Sequence, residues 1–259
     1  MNQEKRILVC EDSMEGIFSA VYDGWKECAG GCKVSIQTSF PVNMELFTSY
    51  REIVTDQSKA GKVMRTILMR LGSEVYEQIC LAAASADEDR GTAIYYVLHR
   101  AFGGGRCEKR VMEALADPYV SRVAKLALCV KREYHHYFGF VRFREISGRF
   151  LLAKIQPGND ILSLMALHFS NRFPNENWVI YDEKRQKALC HEKGKECVMR
   201  KEVRIQVPGS AVGDMGEYEE LWQTFCDSIS IEARRNEKLQ KQMLALHFRS
   251  NMPEFSMKG

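Results

Sequence analysis

One segment near the middle of the 259-residue chain constrains the fold most, because residues 117–137 predict a long amphipathic helix. Advancing 100° per residue places six of its apolar side chains in one arc of roughly 100°, the width of an ordinary core-facing stripe. Asp117 supplies a helix cap, and Pro118 stands at the first helical position, where proline is well tolerated. A helix with one apolar stripe must pack against other elements, so this segment requires a folded core around it.

The hydropathy pattern differs on the two sides of this helix. Before it, short strands are predicted at 7–10 and 33–39, and helices at 14–27, 58–72, 73–85 and 88–102, with Ser13 and Ser58 as candidate caps. After it, a helix capped by Asn159 or Asp160 runs to about Arg172, and the predicted strands lie at 140–146, 149–155, 177–182, 186–191 and 196–207. A long helical tail is predicted from Glu217.

These patterns predict an α+β fold. We expect a helical N-terminal half, then an antiparallel sheet of about five strands with covering helices and a C-terminal helix. The corresponding parts are residues 1–116, mostly helical, and residues 117–259, or one continuous domain that includes both.

The positive charge of the chain is concentrated in one stretch. The whole sequence carries 37 Lys and Arg against 34 Asp and Glu, a formal charge of only +3. Residues 117–156 alone hold eight basic and three acidic residues, a net charge of +5. Five of these basic residues share one helix face or one strand face: Arg122, Lys125, Arg132, Arg142 and Arg144. The plain interpretation is a solvated surface, and the sharper one is a phosphate-binding surface, since arginine forks match phosphate oxygens.

Metal and cofactor signatures are weak. His135 and His136 point about 100° apart on a helix, so they do not converge on one ion. Cys28 and Cys32 are only two ligands where a structural zinc site needs four. The nine cysteines are odd in number and scattered, and no signal peptide or membrane-spanning stretch is recognisable, so we expect a cytoplasmic protein with reduced thiols, no membrane association, no cofactor and no metal.

No established catalytic motif is present, which leaves single residues as candidates. His135 and His168 could act as acid or base near neutral pH, and Asp182 stands on a predicted hairpin tip. A second basic patch, diluted by two glutamates, follows the apolar part of the tail at Arg234, Arg235 and Asn236.

Four blocks of the sequence carry a resemblance to a known family: EDSMEGIFSAVYDGW, DPYVSRVAKLALCVKREYHHYFGFVRFREI, IQPGNDILSLMALHFSNRFPNENWVIYDEKR and LWQTFCDSISIEARRNEKLQKQM. They resemble the bacterial family called probable DNA metabolism proteins. Members are typically encoded beside a radical-SAM protein, and some are fused to a uracil-DNA glycosylase-like domain. The resemblance therefore implies a role in DNA repair or metabolism with that partner. The positions carried over are His135, Arg142, Arg144, His168, Arg172, Asp182, Arg185, Arg234, Arg235 and Asn236.

This sequence departs from the family pattern in two places. ALHFRSNMPEF replaces a more basic and aromatic ending, which puts DNA contact by the last helix in doubt. No glycosylase-like domain is present in these 259 residues, so we expect any base excision to come from a separate protein.

Three functions remain open on the sequence. The first is a DNA-binding accessory protein that holds single- or double-stranded DNA on the basic surface and presents it to the radical-SAM protein. The second is a DNA-processing enzyme, nuclease or glycosylase-like, that uses histidine and aspartate. The third is a protein-interaction module without DNA affinity.

Overall fold

The computed structural model describes residues 5–28, 33–41, 43–103, 108–146 and 150–205, and beyond them only residues 238, 242, 244, 246–249, 252 and 255. The chain forms two compact units, Met1–Arg132 and Glu133–Gly259. The boundary falls inside the long central helix, whereas the change in sequence pattern lies before that helix. The fold class is α+β, as predicted.

The first unit is built on a three-stranded parallel sheet. Its strands are β1 (Lys5–Cys10), β2 (Lys33–Gln37) and β3 (Thr48–Ile53), in the order β2-β1-β3. The register pairs Lys5 with Lys33 on one side and with Thr48 on the other. Residues 7–10 are all buried, as expected for a central parallel strand with both faces covered.

Helices complete the first unit. They are α1 (Met14–Cys28), α2 (Gln57–Leu71), α3 (Ser73–Ala83), α4 (Arg90–Gly103) and the first part of α5 (Pro118–Phe140), with a short 3₁₀ turn at Val111–Glu113. Their apolar faces form one core with the sheet, in which Phe18, Ile79 and Tyr95 are fully buried. The N-terminal half is therefore helical only in part, because it also contains this three-stranded sheet. Strand β3 was not predicted, since most of its side chains are exposed or half-buried and show no strong apolar pattern.

Two predicted helix caps have different outcomes. The Ser13 hydroxyl accepts a hydrogen bond from the Gly16 amide at 3.0 Å, which confirms Ser13 as a cap. The prediction of Ser58 was wrong, because Asp56 caps α2 and accepts from the amides of Ser58 and Lys59. A carboxylate two residues before Ser58 reaches two of the free amides of the first turn.

The second unit contains a five-stranded sheet in the order β4-β5-β6-β7-β8. The strands are β4 (Arg144–Ile146), β5 (Phe150–Ile155), β6 (Trp178–Asp182), β7 (Lys187–His191) and β8 (Val198–Arg200). The predicted antiparallel sheet is in fact mixed, because β5 and β6 are parallel. Helix α6 (Leu162–Arg172) lies between these two strands in the chain, and a crossover of that length is what a parallel pair requires.

The boundaries of several predicted elements shift, and the strand predicted at 196–207 covers only Val198–Arg200. Helix α5 extends to Phe140, so the strand predicted from residue 140 begins at Arg144. Helix α6 has Ile161 at its N-cap position without a side-chain hydrogen bond, so neither Asn159 nor Asp160 caps it. Both side chains are engaged elsewhere, Asn159 by Glu133 and Asp160 by Lys187.

Little of the last fifty residues is described. A short helix, α7, covers Leu246–Arg249, and Phe248 packs against Tyr137 with ring centroids 4.9 Å apart. Most of the helical tail predicted from Glu217 lies outside the described residues. Among the described residues, no helix is long and apolar enough to cross a membrane.

Two glycines in helices give a matched test of packing in the first unit. A Cβ at Gly16 would lie 2.4 Å from the Glu11 carbonyl oxygen, whereas a Cβ at Gly61 would meet nothing within 4 Å. We expect Gly16→Ala to lower the free energy of unfolding by roughly 1–3 kcal/mol through overpacking. Gly61→Ala should raise it by about 0.5–1 kcal/mol, because alanine favours a helix interior. Urea unfolding followed by circular dichroism measures both, and equal effects of the two changes would contradict the close approach at Gly16.

Candidate nucleic-acid interface

Two of the three predicted catalytic residues meet in one aromatic cluster of the second unit. The His168 imidazole stacks on the Phe138 ring, with centroids 3.9 Å apart and planes 10° apart. His135, one helical turn before Phe138 on α5, contacts the same ring at 6.0 Å. Arg172 follows His168 by one turn on α6. We call His135, Phe138, His168 and Arg172 the α5–α6 cluster.

The environment of His168 favours the neutral imidazole. Burial lowers the pKa of His168, and the positive charges of Arg172 and His135 lower this pKa further. The Nε2 atom is buried and has no hydrogen-bond partner among the described residues. His135 itself is exposed. The cluster therefore combines a neutral, half-buried imidazole with two exposed basic side chains.

The carboxylate of Asp182, the third predicted catalytic residue, is bound by groups of the protein itself. Its carboxylate is fully buried at the end of β6 and accepts hydrogen bonds from the amides of Lys184 and Arg185, at 3.0 and 3.1 Å. The Arg185 guanidinium donates to the same carboxylate at 3.1 Å. Burial raises the pKa of Asp182, and the contacts with Arg185 oppose that rise. These hydrogen bonds tie Asp182 to the β6–β7 turn. Among the described residues, no histidine forms a hydrogen bond with its carboxylate.

Arg185 also fixes the loop at residues 156–160. Its guanidinium donates to the carbonyl oxygens of Pro157, at 3.0 Å, and of Gly158. Glu133, on α5, holds the same loop by accepting from the amides of Gly158, at 2.7 Å, and Asn159, at 3.0 Å. Neither Glu133 nor Phe138 was among the residues predicted from the sequence. Phe138 could have been found from its helical spacing to His135, whereas no sequence pattern reveals a carboxylate that binds backbone amides of a distant loop.

The predicted phosphate-binding residues fall into three groups. Three of them bind other parts of the protein: Arg122 pairs with Asp87, Arg142 donates to the carbonyl oxygen of Gly139 at 2.8 Å, and Arg185 has the contacts given above. Four others are exposed, as Arg122 also is: Lys125 and Arg132 in the first unit, and Arg144 and Arg172 in the second. Arg234, Arg235 and Asn236 lie outside the described residues.

The cysteine and metal chemistry of the described residues is limited. Burial raises the pKa of the Cys10 thiol to about 12 and also raises the pKa of Cys80, so both stay protonated at neutral pH. Within the described ranges, no three His, Cys, Asp or Glu side chains come together in a way that could hold a metal ion.

Arg185 and Arg172 were predicted to share a role, and the structure separates them. Arg185→Ala leaves the buried Asp182 carboxylate without its counter-charge and frees the loop at 156–160. We expect it to lower the free energy of unfolding by roughly 3 kcal/mol. Arg172→Ala removes an exposed side chain and should change stability by no more than about 0.5 kcal/mol. Urea unfolding measures the stability of both variants. A loss of unfolding free energy for Arg172→Ala as large as that for Arg185→Ala would contradict the different roles of the two arginines.

The protonation of His168 can be measured directly by NMR titration of its imidazole. We expect a pKa below the ordinary 6.5, and Arg172→Gln and His135→Gln should each raise it by removing a nearby positive charge. Lys193→Gln, in the turn after β7, is the control and should leave the pKa of His168 unchanged. Because the folded state binds this proton less well than the unfolded state, His168 should contribute a loss of stability as pH falls below about 6.5. A pKa at or above 6.5 would contradict the burial of this ring.

Comparisons with known proteins give one match. No curated protein and no solved structure is similar enough to match. A family model described as a domain of unknown function, DUF4130, matches residues 88–254. This range is more than half of the chain and includes α4, α5 and the described sheet of the second unit. The chain therefore belongs to the DUF4130 family.

Proposed function

We propose that this protein is a DNA-binding accessory protein in DNA repair or modification, and that it acts with a radical-SAM partner. The observation that carries the proposal is the α5–α6 cluster, where basic side chains flank stacked aromatic rings. The cluster lies in the segment that the family model matches.

The cluster has the chemistry that single-stranded nucleic acids require. Proteins bind single strands by combining cationic groups for the phosphates with aromatic rings for the bases. Phe138 and His168 supply stacked rings, and the Arg172 guanidinium lies 5.6 Å from the centroid of Phe173, which extends the aromatic surface. Because His168 favours its neutral form, its ring can contact a base without the cost of desolvating a charge.

Exposed basic residues outside the cluster supply phosphate contacts. Arg144 is exposed on β4 in the second unit, and Lys125 and Arg132 are exposed on α5 in the first unit. Arg142 and Arg185 are engaged with backbone carbonyl oxygens and Arg122 with Asp87, so the proposal does not depend on them. We infer that DNA affinity in the second unit comes mainly from Arg172, which lies beside the stacked rings, with further phosphate contacts from the exposed Arg144.

The partners in this proposal come from the family resemblance. Members resembling this chain occur beside a radical-SAM protein, whose chemistry could act on a DNA base that the accessory protein holds. A uracil-DNA glycosylase-like protein is a further candidate partner, since that domain is fused to some members.

A second candidate function rests on His135 and His168. A neutral imidazole beside an exposed one can act as an acid and base pair, which favours a DNA-processing enzyme of the nuclease or glycosylase type. Asp182 is occupied by the β6–β7 turn, so the histidines would act without it. Incubation with intact and damaged oligonucleotides tests this candidate, and cleavage that disappears in His168→Ala would support it.

DNA binding is tested by fluorescence anisotropy with labelled single- and double-stranded oligonucleotides at low salt. Arg144→Ala plus Arg172→Ala should weaken binding by roughly tenfold and should lower the salt slope by about two, one for each phosphate contact. Lys125→Ala plus Arg132→Ala should have a smaller effect in the same direction. The matched control is Lys33→Ala plus Lys109→Ala, two exposed lysines of the first unit, which should leave affinity unchanged.

The outcomes separate the three functions. The DNA-binding proposal would be overturned if the protein did not bind DNA at low salt. It would also be overturned if Lys33→Ala plus Lys109→Ala lost as much DNA affinity as Arg144→Ala plus Arg172→Ala. Co-purification with the neighbouring radical-SAM protein without DNA affinity would select the protein-interaction module instead.

A further inference from the structure

A cavity of about 430 Å³ lies within the first unit, between helices α1, α2 and α4. Its walls are mainly apolar and aromatic, with Val21, Val63, Ile67 and Leu98 among them. The volume is in the range of pockets that bind small molecules. None of the residues of the α5–α6 cluster lines this cavity, so the cavity is a separate candidate binding site.

Trp25, Phe102 and Tyr22 form an aromatic part of the cavity lining. The Trp25 side chain is 37% exposed, which is unusual for the largest apolar residue. Its ring packs against Phe102, with centroids 6.1 Å apart at 66°, and against His99 at 5.5 Å. These contacts fix the ring on one side and leave part of it available to a ligand.

Positive charge collects beside this aromatic part of the lining. The ammonium groups of Lys26, Lys59 and Lys62 lie 5.4, 5.9 and 5.7 Å from the centroid of Tyr22. Asp23 compensates only Lys59, which donates to both of its carboxylate oxygens at 2.9 and 2.8 Å. In the part of the chain that the structure describes, neither Lys26 nor Lys62 forms an ion pair. Two like charges therefore belong to the cavity lining beside Tyr22, and an anion placed between them would be attracted by both.

We propose that this cavity binds a small organic anion with an aromatic body. The aromatic body packs against Trp25 and the apolar walls, and the anionic group binds the ammonium groups of Lys26 and Lys62. A nucleobase fits the cavity poorly, because its polar edge needs hydrogen bonds. Besides the lysines, the polar groups of the lining side chains are the Trp25 indole N–H and the hydroxyls of Tyr22 and Thr66, and Thr66 already donates to the Lys62 carbonyl oxygen at 2.7 Å.

The probe for this site is 2-naphthoate, and 2-naphthylmethanol is its neutral counterpart of similar shape. Binding to the full chain is followed by the change in tryptophan fluorescence, with Trp25→Phe identifying the part of the signal that comes from Trp25. We expect saturable binding of 2-naphthoate that is roughly fivefold or more tighter than binding of the alcohol, because only the acid meets the two lysines.

Three variants locate the site. Lys26→Ala plus Lys62→Ala should remove the preference for the acid while leaving the alcohol bound, and Lys33→Ala plus Lys109→Ala is the matched charge control. Thr66→Phe places a ring at the exposed cavity wall and should abolish binding of both probes. All changed side chains are exposed, and circular dichroism verifies that each variant is folded.

The proposal fails on any of three results. They are no saturable binding of 2-naphthoate at millimolar concentration, equal affinity for acid and alcohol, or binding that survives Thr66→Phe. Each result is independent of DNA binding, because the probes do not contact the α5–α6 cluster in this proposal.

Discussion

The buried ion pair of Asp182 and Arg185 is the interaction on which the arrangement of the second unit depends. A buried carboxylate is costly unless its oxygens are hydrogen-bonded and its charge is compensated. Asp182 meets this condition with the turn amides of Lys184 and Arg185 and with the Arg185 guanidinium. Arg185 in turn binds the loop at 156–160, and Glu133 binds that loop from α5. Since α6 follows this loop directly, the ion pair helps to fix the helix that carries His168 and Arg172.

The first unit uses a buried arginine in a similar way. Arg90 is only 2% exposed and donates to the carbonyl oxygens of Ala83 and Asp87, at 3.2 and 2.7 Å, while it pairs with Asp12. These contacts hold the turn between α3 and α4 against the loop that follows β1. Asp87 then offers its carboxylate to Arg122. In both units an arginine that contributes to the net positive charge stabilises a loop.

Because some arginines bind groups of the protein itself, the basic segment 117–156 cannot be interpreted from its net charge alone. The net charge of +5 in residues 117–156 counts every lysine and arginine equally. Two of the arginines counted there bind other groups of the chain, Arg122 the Asp87 carboxylate and Arg142 the Gly139 carbonyl oxygen. The proposed interface therefore depends on a smaller set of residues, in which Arg172 gains importance because it lies beside stacked rings. The aromatic stack makes nucleic acid a more specific proposal than charge alone, since phosphate binding needs no rings.

The sequence by itself determined the α+β class, most of the helices and the strands of the second unit, because hydrophobic periodicity is local information. It also identified His135 and His168 as residues of interest. It did not reveal that β5 and β6 are parallel, since strand direction depends on where α6 returns the chain. Nor could it separate Arg185 from Arg172, or show that Asp182 is buried. Only the tertiary structure decided these points, because the partner of each charged group comes from a segment distant in the chain, and the partner determines whether a charge stabilises the fold or remains available to a ligand.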